Sequence, residues 1–139
     1  MSDFRGWNQK IVDEFRSNEG RVGGPFEGAP MIIIHTKGRK SGKDYENPLV
    51  YLKVGDAYAI FGSKGGAPEH PEWYQNIVAN PEIEAEIGAE RFKVRARELK
   101  GDEREPIWTK QKKLMPGFAE YEQKAQGIRE IPVILLERI

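Results

Sequence analysis

The chain contains no cysteine, which excludes disulfides, thiolate metal sites and cysteine nucleophiles. Neither sign of charge is in excess: 22 basic and 22 acidic side chains cancel. Nucleic-acid-binding domains usually carry a basic surplus, so no nucleic acid is expected as a partner. There are only two histidines, His35 and His70, which lie far apart and show no ligand spacing. No metal is expected. No apolar run approaches the roughly 20 residues that span a bilayer. The opening Met1-Ser2-Asp3-Phe4-Arg5 is polar and lacks the apolar stretch of a signal peptide, so the expected location is cytoplasmic. No internal repeat or low-complexity linker interrupts the 139 residues, a length that suits one domain.

Phe4, Trp7, Ile11 and Phe15 recur at helical spacing, so residues 2–17 are expected to form an amphipathic helix capped by Ser2 or Asp3. Its apolar face should cover one end of the core or a homodimer partner. Residues 1–19, taken as this helical segment, carry three cations and four anions, so no attraction to anionic lipid, and no membrane contact, is expected. Residues 20–139 then make up the body. Residues 21–30 are rich in Gly and Pro and read as a loop. Strands are expected over 31–35, 46–54 and 57–62, the last two joined at Gly55-Asp56. A short helix over 71–79 stops at Asn80-Pro81. A second hairpin pairs 83–87 with 92–98 around Gly88-Ala89-Glu90. A helix over 101–114, capped by Asp102, is broken at Met115-Pro116-Gly117. A shorter helix over 118–125 and a fully apolar strand over 131–136 complete the chain. Six antiparallel strands with flanking helices favour a small barrel over a doubly wound sheet.

Chemistry concentrates in two turns. The first, residues 36–43, packs Lys37, Arg39, Lys40 and Lys43 with Gly38, Gly42 and Ser41, directly after an apolar strand. Glycines let backbone N–H groups face a ligand, and Arg and Lys add charge, so the fitting guest is an anionic group such as a phosphate or several carboxylates. A P-loop is excluded: Gly38 to Gly42 is one residue short, and Asp44 follows Lys43 where a hydroxyl belongs. No G-x-G-x-x-G follows a strand, and Ser63 sits in no G-x-S-x-G elbow. The second turn is Ser63-Lys64-Gly65-Gly66-Ala67-Pro68, followed by His70-Pro71-Glu72-Trp73-Tyr74-Gln75-Asn76.

Gly38-Arg39-Lys40-Ser41-Gly42, Asn47-Pro48-Leu49, Ser63-Lys64-Gly65-Gly66-Ala67 and residues 71–81 occur in an order and spacing that resembles the deazaflavin-dependent nitroreductase family of actinobacteria. That group includes the coenzyme F(420)-dependent quinone and enone reductases. The final Ile131-Pro132-Val133-Ile134-Leu135-Leu136-Glu137 fits as well. The resemblance implies a split β-barrel, the architecture of many FMN-binding proteins, and 8-hydroxy-5-deazaflavin (coenzyme F(420)) as cofactor. By the same resemblance Arg39, Lys40 and Ser41 hold the coenzyme's anionic end. Asn47, Pro48 and Leu49 line the ring and ribityl chain, and Phe61, Gly62, Ser63 and Lys64 touch the ring. Trp73, Tyr74 and Asn76 close the site, although Trp73 and Tyr74 also suit core packing and Asn76 a helix-end cap. Hydride passes to an electron-poor hydrophobic acceptor; where a proton must follow, solvent, Ser63 and Tyr74 are the candidates. Where some relatives carry tyrosines this chain has Val50, Met115 and Phe118 and keeps Tyr121. Such an apolar wall implies conjugated lactones, enones or quinones rather than nitro compounds. An FMN-dependent reductase and a non-catalytic deazaflavin carrier are the alternatives on the same barrel.

Overall fold

The computed structural model describes residues 4–23 and 28–139, with side chains from Gln9 onward. The expected cap at Ser2 or Asp3, and the Phe4 and Trp7 side chains, lie outside the described residues. Helix α1 (Phe4–Ser17) precedes strands β1 (Met31–Lys37), β2 (Asp44–Val50), β3 (Leu52–Val54) and β4 (Ala57–Phe61). A 3-10 turn (Lys64–Gly66) and α2 (Glu72–Ala79) lead into β5 (Glu82–Ile87) and β6 (Glu90–Leu99). Helices α3 (Gly101–Leu114) and α4 (Gly117–Ala125) precede β7 (Val133–Arg138).

The strands form one antiparallel sheet in the order β2-β1-β5-β6-β7-β4-β3. The strands at its two ends, β2 and β3, are consecutive in the chain. The sheet therefore curls until its ends meet through Tyr51, a half-barrel that is mainly β with flanking helices. This is where six expected strands become seven. Stretch 46–54 reads as one strand by alternation, but β2 pairs with β1 whereas β3 pairs with β4. At the corner the Tyr51 N–H still follows the β1 register, donating to the Pro30 carbonyl at 3.1 Å, before Leu52 turns to β4. One strand serving two neighbours at a barrel corner has to bend, and alternation carries no mark of that bend.

Ile32, Ile33 and Ile34 are all fully buried because both faces of β1 are covered. Ile32 and Ile34 point into the barrel with Ile60, Ile83, Ala85, Val94, Ile134 and Leu136. Met31 and Ile33 point outward, beneath Ile11, Val12 and Phe15 of α1. A second outer layer joins Phe61, Leu99, Trp108, Phe118, Val133 and Leu135 under α3 and α4. Burial of each such aliphatic side chain contributes about 1.5–3 kcal/mol. Helix α3 starts differently from expectation. Lys100, not Asp102, is its N-cap, without a side-chain cap bond, and Asp102 sits inside the first turn beside Glu103. There both carboxylates complement the helix dipole instead of capping it.

Helix α1 is held by packing and by charge. The Arg16 guanidinium reaches Glu46 at 2.6 Å and Glu86 at 2.7 Å, while His35 Nε2 lies 2.6 Å from Glu86. Gly20 follows the helix with φ +95°, and a Cβ there would lie 2.8 Å from Gly88 Cα, so only glycine permits this approach.

Packing outweighs charge here, because Phe15 is fully buried while the Arg16 side chain is 40% exposed. Phe15→Ala should cost about 3–5 kcal/mol of unfolding free energy. Arg16→Ala should cost about 1 kcal/mol or less. Urea unfolding of both variants checks this ranking; the reverse order would make the ion cluster the dominant tether.

Candidate functional site

Strand register decides where the two glycine turns go. Lys37 ends β1 opposite Asp44, Phe61 ends β4 opposite Val133, and Leu99 ends β6 opposite the same Val133. Both turns, the start of β7 and helix α2 therefore gather at one end of the barrel. Helix α2 lies across that end and places Trp73, 6% exposed, and Ile77 in the barrel interior.

The first turn is closed by its own backbone. Gly38 N–H donates to the Lys43 carbonyl at 2.7 Å, and Gly42 N–H donates to the Gly38 carbonyl at 2.9 Å. Ser41 Oγ accepts from Lys43 N–H at 3.2 Å. A Cβ on Gly38 would lie 2.5 Å from that Oγ, so a larger residue there would force the Ser41 side chain to turn away. Asn76 Oδ1, buried on α2, accepts the Arg39 backbone N–H at 3.1 Å and so pins the turn to the helix. The Arg39 side chain donates to Glu72 Oε2 at 2.6 Å. This hydrogen bond holds the Glu72 carboxyl below its usual range, with partial desolvation opposing and the charges of Lys64 and Lys40 adding to the effect. Arg39 thus holds this carboxylate directly, and the cations of both turns bear on it through charge.

The second turn carries backbone strain. Lys64 has φ +46°, a left-handed conformation rare outside glycine, and its ammonium reaches Glu69 at 2.9 Å. Gly66 has φ +84°, and a Cβ there would lie 2.8 Å from Lys124 Cβ. Three carbonyls of this segment accept from one half-buried guanidinium: Arg129 donates to Gly62, Ser63 and Ala67, each at 2.9 Å. No spacing in the sequence points to Arg129.

Tyr74 donates its hydroxyl to Glu98 Oε1 at 2.5 Å, and its ring centroid lies 4.7 Å from that of His70. Burial, followed by Glu98, pushes the Tyr74 hydroxyl up to about 12, so it stays protonated at neutral pH. Glu98 also pairs with Lys100 at 2.8 Å. Glu98 was legible in principle: Phe92, Val94 and Ala96 alternate toward the interior, and position 98 continues that face with a carboxylate.

The remaining candidate residues divide between faces. Asn47 accepts from the Thr36 hydroxyl at 3.2 Å, and Leu49 packs on the interior with Tyr74. Pro48 stands opposite Ile33 on the outward face of β2, and Val50 packs under α1, so neither shares the face of Asn47 and Leu49. Phe61, Met115, Phe118 and Tyr121 come together in the layer beneath α3 and α4, with Phe61 and Phe118 centroids 5.7 Å apart. His35, Glu46 and Glu86 cluster across β1, β2 and β5, next to the strand ends that carry the first turn. Their donor atoms fall within 4.8 Å of one another, close enough for a cation, and Arg16 bridges both carboxylates.

A family model described as F(420)H(2)-dependent quinone reductase matches residues 7–138. An F(420)H(2)-dependent quinone reductase of Mycobacterium tuberculosis is 43% identical over 84 residues, 60% of this chain and 56% of that protein. The chain thus spans little more than half the length of that relative. A solved F(420)-H(2)-dependent reductase, FDR-A, is 40% identical with a TM-score of 0.70, covering 78% of this chain and 94% of its own. A further solved chain, described as a domain-swapped dimer, is 36% identical over 96% of both chains with a TM-score of 0.71. With a match that runs from residue 7 to residue 138, the chain belongs to the F(420)H(2)-dependent quinone reductase family.

Proposed function

We propose that this chain is an oxidoreductase that passes a hydride from reduced coenzyme F(420) to an electron-poor, hydrophobic acceptor: a quinone, or a conjugated enone or lactone. The observation that carries this reading is that the cationic turns bearing Arg39, Lys40 and Lys64 meet at one end of the barrel, where Arg39 already holds the Glu72 carboxylate. A place where the cations of two turns converge and one of them already holds a carboxylate fits a phosphate and an oligoglutamate tail. The fit is in the donor chemistry: charge-assisted bonds from Arg and Lys to phosphate or carboxylate are the strong kind. Arg39, Lys40 and Lys64 would hold that tail, and the Ser41 hydroxyl, which accepts from Lys43 N–H, retains a proton to donate. Asn47, Leu49, Gly62, Ser63 and Tyr74 would line the ring, with Trp73 packed behind them. Asn76 serves by fixing the Arg39 backbone rather than by touching the coenzyme. Reduced deazaflavin supplies two electrons as hydride and no readily accessible one-electron step.

The chain's part is positioning, exclusion of water and delivery of a proton. Met115, Phe118 and Tyr121 beside Phe61 form an apolar wall for a flat conjugated acceptor. Hydride addition to a quinone leaves a hydroquinone anion, and one proton completes it. The Tyr74 proton is committed to Glu98, so Ser63 or solvent is the nearer donor, and Tyr74 can contribute only as Glu98 releases it. The relative solved as a domain-swapped dimer supports a homodimer as the working assembly.

Coenzyme F(420) should bind more tightly than FMN, which lacks the glutamate tail; fluorescence titration with both decides, and equal binding would favour an FMN enzyme. Arg39→Ala with Lys40→Ala should weaken F(420) binding by about 1.5–3 kcal/mol per lost charged contact while barely moving Tm. Glu72→Gln should do the opposite. Removing the resident carboxylate frees Arg39, and the F(420) Kd should fall about two- to fivefold. Weaker binding in this variant would mean that Glu72 supports the site rather than competing for it.

Acceptor choice follows from the apolar wall, since nitro reduction benefits from hydrogen-bond donors at two developing oxyanions. A menadione-type quinone and a coumarin-type lactone should show higher kcat/KM than a nitroimidazole when oxidation of the reduced coenzyme is followed by absorbance. The reverse order would overturn the substrate assignment. Binding without turnover of any acceptor would favour a carrier.

A further inference from the structure

Arg129 takes part in none of the described ion pairs, yet its guanidinium is half buried and each of its three nitrogens donates to a backbone carbonyl. It joins Gly62, Ser63 and Ala67, three points that span the second glycine turn. A trans peptide places C=O and N–H on opposite sides of its plane. Drawing the Gly62 and Ser63 carbonyls toward Arg129 therefore turns the Ser63 and Lys64 N–H groups the other way. The backbone agrees with this: Ser63 is right-handed at φ −73°, ψ −40°, and Lys64 is left-handed at φ +46°. A right-handed residue followed by a left-handed one forms a nest, a concavity of successive N–H groups that binds an anionic oxygen. Lys64 is not glycine, so the left-handed φ needs support from its surroundings, and Arg129 supplies it.

The fourth partner of Arg129 is His70, whose Nδ1 lies 3.1 Å from the guanidinium. A neutral imidazole accepts there. A protonated one has no lone pair to offer and presents a second cation to Arg129. The groups facing His70 are Arg129 ahead of β7, Glu98 and Lys100 at the end of β6, Tyr74 on α2 and Glu69 beside it in the loop. Burial, then the Arg129 charge, holds His70 below its ordinary value, with Lys100 adding and Glu98 opposing.

We propose that Arg129 is a positioning residue that holds the 62–67 turn as a nest of backbone donors for the ligand's anionic oxygen, with His70 as the acceptor through which acid loosens that hold. The identity of the ligand rests on the coenzyme reading above; the hold on the turn does not. The sign follows from the lowered His70 value. The hold is complete above the ordinary imidazole range, near 6.5, and is lost as pH falls through the lower value of the folded protein.

The test combines amide hydrogen exchange on the ligand-free chain with fluorescence titration of oxidised coenzyme F(420), at about pH 7.5 and about pH 5. In Arg129→Met, and in Arg129→Lys should the first variant fold poorly, the Gly66 and Ala67 amides should exchange at least about tenfold faster, the strands should keep their protection, and F(420) affinity should drop about tenfold or more. In the unmodified chain the affinity should fall on going to about pH 5. His70→Asn offers an acceptor that does not titrate, so its ratio of affinities at the two pH values should approach one. Unchanged exchange at Gly66 and Ala67 in both Arg129 variants overturns the inference, as does a pH ratio in His70→Asn equal to that of the unmodified chain. An unmodified chain with no affinity for F(420) at either pH, with the exchange changes still present, overturns the coenzyme reading instead and leaves the hold on the turn supported.

Discussion

The whole site depends on helix α2 closing one end of the barrel. Trp73 and Ile77 enter the apolar interior, and this burial fixes the position of an eight-residue helix too short to be stable alone. Once α2 is fixed, its other faces have set positions. Asn76 holds the backbone of the first turn, Glu72 draws in that turn's arginine, and Pro71 packs behind Gly62 at the root of the second. One hydrophobic insertion thereby brings together two cationic turns that are about twenty residues apart in sequence.

A neutral chain can present a cationic site because its charges are unevenly paired. The outward face of the sheet is crossed by matched pairs, Arg91 with Glu84, Arg95 with Glu82, and Arg97 with Glu103 and Glu137, while Arg138 pairs with Glu90 at the end of the barrel away from the turns. These exposed pairs contribute little individually to stability, but they neutralise that face. Among the described ion pairs, Lys37, Lys40 and Lys43 take no part, and Arg39 and Lys64 each meet one exposed carboxylate. The unbalanced positive charge therefore collects at the end of the barrel where the glycine turns lie, and a focused field there favours an anionic guest.

Most elements were legible from period alone. The alternation in 83–87 and 92–98 and the breakers at Asn80-Pro81 and Met115-Pro116-Gly117 mark elements that the structure places within a few residues. Local chemistry was also legible: the glycines and cations of residues 36–43 make a charged turn in any fold, because backbone freedom and side-chain charge belong to the residues themselves. The broken strand at Tyr51 was not legible, since alternation continues unbroken through a barrel corner.

Faces and partners belonged to the tertiary structure. Val50 and Leu49 are one residue apart and apolar alike, yet β1 pairing and α1 docking send Val50 outward and leave Leu49 with Tyr74. Arg129 looks like an ordinary surface cation in a polar stretch. It becomes the clamp of the second turn only because β7 lies beside β4, which brings residue 129 within reach of three carbonyls more than sixty residues earlier. The sequence by itself determined which segments are strands, helices and charged turns, because those depend on nearest neighbours and on local φ and ψ. The tertiary structure alone decided which turns meet, which carboxylate stands among their cations and which arginine holds the strained loop, because sheet register and helix docking set those distances.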